Sequence, residues 1–186
     1  MPIMTRIMDV FISIVGIILL LPIMLLLLCL GSFIFKSPIF IQERVGRFKS
    51  GFKIIKFRSM KVGTRSVGTH LINRSSIPKY GAFLRHFKLD EILQLFNVLL
   101  GHMSIVGPRP CLFNQSDVIV EREKLNIFQA KPGITGLSQI RKITMENPII
   151  LARTDYEMMI DFSLIKYIKI IILTIFGCGK GDALNN

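Results

Sequence analysis

Acidic residues are scarce in this chain. Its 186 residues include 24 Lys and Arg but 12 Asp and Glu. From Arg44 to Ser116 the only acids are the neighbours Asp90 and Glu91, set among thirteen lysines and arginines. Cysteine is also sparse: Cys29, Cys111 and Cys178 are odd in number and far apart, which excludes a disulfide framework or a paired-cysteine zinc site. His70, His86 and His102 are scattered, so neither a histidine metal site nor a histidine-centred triad is indicated. There is no internal repeat and no low-complexity linker, and the length suits one domain with a real core rather than two large ones. Charge is absent from Val10 to Phe35.

What is present is apolarity joined to basicity. The chain is 51% hydrophobic with a formal net charge of +12, a combination that fits an anionic membrane surface or phosphate-bearing ligands and leaves nucleic acid open. The uncharged run is long enough to cover a hydrocarbon core of about 30 Å, and the residues after it lack the small-residue pattern of a signal-peptide cleavage site. Pro22 lies near its middle and removes one backbone donor. Arg6 precedes the run, and Lys36, Arg44, Arg47 and Lys49 follow it, which places the following residues in the cytoplasm by the positive-inside bias. From these features alone, a kinked span and a helix that enters, breaks at Pro22 and returns are equally good readings.

Beyond the membrane element, Ile39 to Arg44 and Phe52 to Arg58 read as two strands joined through Gly46 to Gly51. Residues Val62 to Ser76 read as a mobile loop. Helices are expected over Lys79 to Phe87, from about Asp90 to Leu100, over Ile149 to Asp161 and over Ser163 to Phe176. The last is apolar with Lys166 and Lys169, and either lies in the headgroup plane or packs in the core.

An Asp-Glu pair among cations can give one carboxylate to a divalent metal and keep the other as nucleophile or base, while the cations hold phosphate oxygens. The same pair at a helix start is also an ordinary structural feature, favoured by the macrodipole, which would depress the pKa of Asp90 and keep it ionised. In Gly107-Pro108-Arg109-Pro110 two prolines bracket an arginine suited to bidentate phosphate contacts, or to solvent at a surface turn. Lys131-Pro132-Gly133-Ile134-Thr135-Gly136 is a second backbone-exposing loop able to approach a phosphate or sugar.

Five blocks in order resemble the bacterial sugar transferase family, the small monotopic phosphoglycosyl transferases. They are Gln42-Glu43-Arg44-Val45-Gly46; Lys56-Phe57-Arg58-Ser59-Met60; Leu89-Asp90-Glu91 with Gln94-Leu95-Phe96-Asn97-Val98; Met103 to Pro110; and Lys131 to Gln139. The resemblance covers nearly the whole chain. It implies an α+β, mostly helical fold: a re-entrant membrane helix broken at Pro22 (residues 1–36), then a cytosolic membrane-associated catalytic domain (37–186) with a short hairpin and interfacial helices. It implies that Asp90 is the nucleophile, that Glu91 is the ligand of Mg²⁺, that Arg109 binds phosphate with Lys56, Arg58 and Arg85 in support, and that Asp155 is a further acidic site residue. The reaction implied moves a phosphosugar from a UDP-sugar to undecaprenyl phosphate through a covalent aspartyl intermediate, releasing UMP as the first membrane step of O-antigen, capsule or related glycan synthesis. The implied setting is the cytoplasmic face of the bacterial inner membrane, with membrane lipids as partners, downstream glycosyltransferases following and no nucleic acid.

Three departures stand out. The family's Ser-Pro step is Leu21-Pro22, the usual Val-Asn-Gly-Arg after Gln139 begins Ile140-Arg141-Lys142, and the Tyr-Tyr after the later aspartate is Glu157-Met158. The multi-span region of larger relatives is missing, so the minimal catalytic form is expected. Two other readings predict different outcomes. A membrane-anchored basic binding protein would be indifferent to Asp90→Asn, and a phosphohydrolase would form product without a lipid acceptor.

Overall fold

The computed structural model describes residues 3–64 and 76–177. Most of the loop expected from Val62 to Ser76 lies outside the described residues, as do His70 and Cys178. The first element, α1, is a single helix over Ile3–Phe35, about 50 Å long at 1.5 Å per residue. It is long and apolar enough to cross a membrane by length and composition. The expected break at Pro22 is corrected here, because the helix runs on through that residue. One proline costs a helix one hydrogen bond, and the next turn is held by packing: Met24 and Leu27 are buried against Phe57, Leu84 and Leu93.

One stripe of α1 faces the rest of the protein along its whole length. Thr5, Asp9, Ser13, Met24, Leu27, Gly31 and Phe35 are buried, and Gly16 bridges the gap by lying close to Leu95. With Leu20, packed against the cluster of Phe57, Leu84 and Leu93, these positions recur every three or four residues, the spacing of one helix face. Arg6 Nη1 and Nη2 donate to the carbonyls of Val98 (2.6 Å) and Leu99 (2.9 Å), satisfying carbonyls at the C-terminus of a later helix. Asp9 Oδ1 accepts from Ser104 Oγ (3.0 Å), the Ile105 amide (2.8 Å) and Tyr167 Oη (2.7 Å). At the far end Tyr80 Oη donates to the Leu27 carbonyl (2.9 Å). The opposite face exposes Ile7, Phe11, Ile18, Leu19, Leu25, Leu26 and Phe33, an apolar surface far larger than a soluble monomer carries.

The hairpin forms as expected, with β1 (Ile39–Val45) antiparallel to β2 (Gly51–Phe57) and Phe40 opposite Lys56. Helix α2 covers Lys79–His86 and α3 covers Gln94–Leu99. The three-residue strands β3 (Ser104–Val106) and β4 (Gly133–Thr135) pair in parallel. Between them lies α4 (Ser116–Lys124), and α5 (Leu137–Ile140), α6 (Pro148–Ile160) and α7 (Leu164–Ile175) follow. The last two helices start where side chains cap them: Asn147 Oδ1 accepts from the Ile150 amide and Ser163 Oγ from the Lys166 amide. Three apolar clusters hold the layers together. Met8 and Ile12 of α1 pack on the first, which joins β2, β3 and α7, and Leu20 and Leu28 on the second, which joins β2, α2 and the turn before α3. The fold is α+β and mostly helical. Cys29 is exposed and Cys111 buried, both free thiols.

Candidate active site

The two carboxylates sit on a single 3-10 turn, Leu89–Glu91, entered through Lys88 in the left-handed conformation (φ 56°). The α-helix begins only at Gln94. The helix expected from Asp90 is therefore shorter, because Leu89, Ile92 and Leu93 all turn into the cluster around Phe57 and Leu84. The backbone tightens to three-residue bonds, Leu95 N to Ile92 O and Phe96 N to Leu93 O.

Strand β2 supplies the first cation. Lys56 Nζ donates to Glu91 Oε1 at 2.6 Å, and Arg109 Nη2 lies 3.6 Å from the same oxygen. Asn97 fixes that register: its Oδ1 accepts from the Ile55 amide (3.0 Å) and its Nδ2 donates to the Lys53 carbonyl (2.7 Å). The carboxylate pair is thereby pinned to the strand that carries Lys56.

The two acids titrate in opposite directions. For Glu91, burial pushes the pKa up, but Lys56 and Arg109 outweigh it and hold the carboxyl at about 2. For Asp90, burial and the Glu91 charge raise the pKa, and Lys56, Arg85 and Arg109 oppose them without prevailing. The expected depression at Asp90 is thus reversed, since no α-helix N-terminus lies at this residue to supply the macrodipole. By linkage, Glu91 contributes stability that is present above its usual 4.5 and lost as pH falls toward about 2. Asp90 contributes with the opposite sign at neutral pH. Among the described residues Asp90 makes no hydrogen bond or ion pair and feels its cations only at longer range.

Arg109 is held by backbone. Gly107 N donates to Thr135 O (2.8 Å), Gly133 N to Pro108 O (2.9 Å) and Ser104 N to Pro132 O (2.9 Å). A Cβ on Gly133 would fall 2.1 Å from Gly107 N, and one on Gly136 would fall 2.4 Å from Gly107 O. The Lys131–Gly136 loop, whose sequence makes it able to approach a phosphate or sugar, sets its glycines in this close backbone seam.

Beneath the seam is a buried network that sequence reasoning missed. Arg122, 2% exposed in its side chain, donates through Nε (3.0 Å) and Nη2 (2.7 Å) to Asp155 Oδ2 and through Nη1 to the Arg109 carbonyl (2.7 Å). Ser138 Oγ donates to Asp155 Oδ1 at 2.9 Å. Asp155, implied by the resemblance as a further acidic site residue, makes its contacts with Arg122 and Ser138. It is fully buried with Arg122 and acts on the loop that carries Arg109. The signal lay in α4, where Val118 and Arg122 are the buried pair one turn apart, so an arginine occupies a position where periodicity seeks an apolar residue.

Lys56, Arg85 and Arg109 converge on the carboxylates, and Arg58 does not. Its Nε donates to Ser37 O (2.7 Å) and its Nη2 to Ile39 O (3.3 Å), clamping the exit of α1 to β1. Arg44 is an unforeseen neighbour, bonded to Gln42 Oε1 and Pro110 O. Burial first, then Arg109, lowers its pKa to about 10. Two of the departures from the family pattern meet each other: Arg141 grips Glu157 through Nη1 (2.5 Å) and Nη2 (2.7 Å). Lys142 takes a left-handed turn (φ 58°) and Met158 is buried in the core.

Among the described residues no three His, Cys, Asp or Glu side chains form a metal cage. One or two carboxylates beside phosphate-binding cations is the donor set by which Mg²⁺ is usually held, together with substrate oxygens. Glu91, ionised across the physiological range, fits it.

A UDP-glucose:undecaprenyl-phosphate glucose-1-phosphate transferase of Klebsiella pneumoniae is 36% identical over 182 residues, 92% of this chain and 39% of that protein. The transferase of the same name from Escherichia coli (strain K12) is 38% identical over 148 residues, 74% of this chain and 32% of that protein. A UDP-galactose-lipid carrier transferase of Erwinia amylovora is 37% identical over 142 residues, 66% of this chain and 29% of that protein. The chain thus spans between about three tenths and two fifths of the length of these curated relatives. The family model described as Bacterial sugar transferase matches residues 1–181. With that match over nearly all its length, the chain belongs to the bacterial sugar transferase family.

Proposed function

We propose that this protein is a phosphoglycosyl transferase that moves a phosphosugar from a UDP-sugar to a polyprenyl phosphate, and that it does so through Asp90. The observation that carries the reading is Asp90 itself, a partly buried carboxylate without a hydrogen-bond partner among the described residues, with Lys56, Arg85 and Arg109 around it. A nucleophile must be uncommitted before attack, and the surrounding cations suit a pyrophosphate. In the first half-reaction an Asp90 oxygen bonds to the sugar-linked phosphorus, and the bond to UMP breaks with its electron pair leaving on UMP. In the second, an oxygen of the polyprenyl phosphate bonds to the same phosphorus and the Asp90 carboxylate departs. Mg²⁺, when bound at Glu91, supplies charge neutralisation on the pyrophosphate oxygens. Arg109 and Lys56 orient those oxygens.

The apolar face of α1 and the contacts that tie both its ends to one folded body support a helix that lies along one leaflet with both flanks on the cytoplasmic side of the inner membrane. The relatives' names include both glucose and galactose, so they do not single out one sugar for this chain. The reading is tested by mixing intact protein with candidate UDP-sugars and Mg²⁺, with the acceptor withheld. The expected result is a mass gain of one phosphosugar and one UMP released per protein. Absence of any adduct with every donor tried overturns it.

The raised pKa of Asp90 sets a pH dependence. The attacking carboxylate must be ionised, so UMP release should fall on the acid side with a midpoint above the usual aspartate value of 3.8. Lys56→Met removes a cation that holds this pKa down, so the acid limb of a kcat–pH profile should move to higher pH. A limb that stays in place or moves lower would disprove the assignment.

A further inference from the structure

One cation near the carboxylates has no counter-charge of its own. Arg44 is half-buried, and among the described residues it forms no ion pair. Its bonds run to Gln42 Oε1 from Nε (3.0 Å) and Nη2 (2.6 Å), and to the Pro110 carbonyl from Nη1 (3.2 Å). The charges that act on it include Arg109, which repels it, and Glu91, which attracts it from beyond ion-pair distance. A cation taken partly out of water beside a second cation is costly unless an anion joins them.

The hairpin fixes where this guanidinium stands. In the β1–β2 register Arg44 lies opposite Phe52, Gln42 opposite Ile54 and Phe40 opposite Lys56, and residues at these alternate positions share one face of the ladder. Arg44 and Lys56 therefore project from the same face, and Arg44 leans along it over Gln42, toward the end that carries Lys56. The Val45 amide donates to the Cys111 carbonyl (3.0 Å), so this end of β1 is stitched to the loop that carries Arg109. Lys56 and Arg109 both reach Glu91 Oε1. Charges thus run outward from Asp90 through Glu91 and Arg109 to Arg44. A guanidinium has five N–H groups, and three of these are spent on Gln42 and Pro110. One N–H on Nη1 and one on Nη2 are left, a fork that suits two oxygens of a phosphate.

We propose that the Arg44 fork binds the nucleotide-side phosphate of the donor, the one that leaves as UMP. This rests on the phosphosugar-transfer reading above. In an in-line displacement the attacking and departing oxygens lie on opposite sides of phosphorus. With Asp90 attacking, UMP departs away from Asp90, toward Arg109 and Arg44. The bond from phosphorus to the UMP oxygen breaks, its electron pair stays on UMP, and Arg44 meets the charge that gathers there. In the second half-reaction the lipid phosphate attacks along the same line, so one guanidinium serves the two phosphates in turn.

The test titrates the intact protein with UMP and with uridine, the same nucleoside with and without the phosphate. Arg44→Met should weaken UMP binding about tenfold or more, the scale of losing hydrogen bonds to a charged group, and leave uridine binding unchanged. Arg44→Lys keeps the charge but not the fork to Gln42 and Pro110, and should retain most of the UMP affinity that Arg44→Met loses. Arg44→Gln, uncharged yet able to donate to Pro110, should behave as Arg44→Met and replaces it if that variant does not fold. A role confined to holding Pro110, and through it Arg109, would weaken UMP binding in the lysine and methionine variants alike. That result overturns the proposal, as does UMP binding at wild-type strength in Arg44→Met; the covalent reading stands in either case if the wild-type protein gains the adduct mass. A wild-type protein that forms no adduct with any donor removes both.

Discussion

Asp90→Asn should lower UMP release on the order of 10⁴-fold or more, as removal of a covalent nucleophile does elsewhere, and should abolish the mass gain with donor alone. The amide is nearly isosteric and the native carboxylate has no bonded partner among the described residues, so the variant has no contact to lose. Because burial and Glu91 penalise the charge at this position, removing it should leave thermal stability equal to wild type or higher. Loss of activity with undiminished stability identifies a residue kept for chemistry. An Asp90→Asn protein that retains full UMP release would remove Asp90 from the reaction, and one that unfolds would make the carboxylate structural.

The second large effect concerns stability. Asp155→Ala should destabilise the protein by about 3–5 kcal/mol, because it leaves the Arg122 guanidinium buried without its counter-charge. Thermal or urea unfolding measures this directly. Arg122→Met should cost less than Asp155→Ala, since the orphaned Asp155 carboxyl, its pKa raised by burial, can take up a proton where a guanidinium cannot release one, although the change also frees the Arg109 carbonyl that Arg122 holds. Where either variant still folds, the expected kinetic signature is a rise in KM for the UDP-sugar, because Arg109 loses its fixed backbone. If Asp155→Ala is as stable as wild type, the pair is not the keystone of the loop. If its KM is unchanged while kcat collapses, Asp155 belongs in the chemistry and not beneath it.

The unequal legibility of this site has physical causes. The hairpin, α2, α6 and α7 follow from local alternation, caps and helical periodicity, and their observed ends lie within a residue or two of expectation. The convergence of Lys56 with Glu91 was legible only through the family resemblance, because residues on a strand and on a distant turn share no local pattern. Strands β3 and β4 are three residues each and pair across a long stretch of chain, so no window of sequence could announce them. Arg122 and Asp9 were missed for a common reason: each is a charge in a position that periodicity reserves for an apolar side chain. Arg58 lies in the Lys56–Met60 block and Asp155 outside all five blocks, and the resemblance implies both for the site; their partners are the carbonyls of Ser37 and Ile39 and a buried arginine. Asp90 was expected to be acidified by a helix dipole that the 3-10 turn does not provide.

The long first helix is not a tether attached to a finished domain. Its Asp9 knits β3 to α7, its Arg6 closes the end of α3, and its Met24 and Leu27 complete the floor under Leu84 and Leu93. Excising residues 3–35 to obtain a water-soluble fragment would therefore strip the lining from two apolar cores and leave the excised protein prone to aggregate. A soluble form is better sought by recolouring the outward side chains, such as Ile7, Phe11, Leu19 and Phe33, with polar ones while the inward stripe is left untouched.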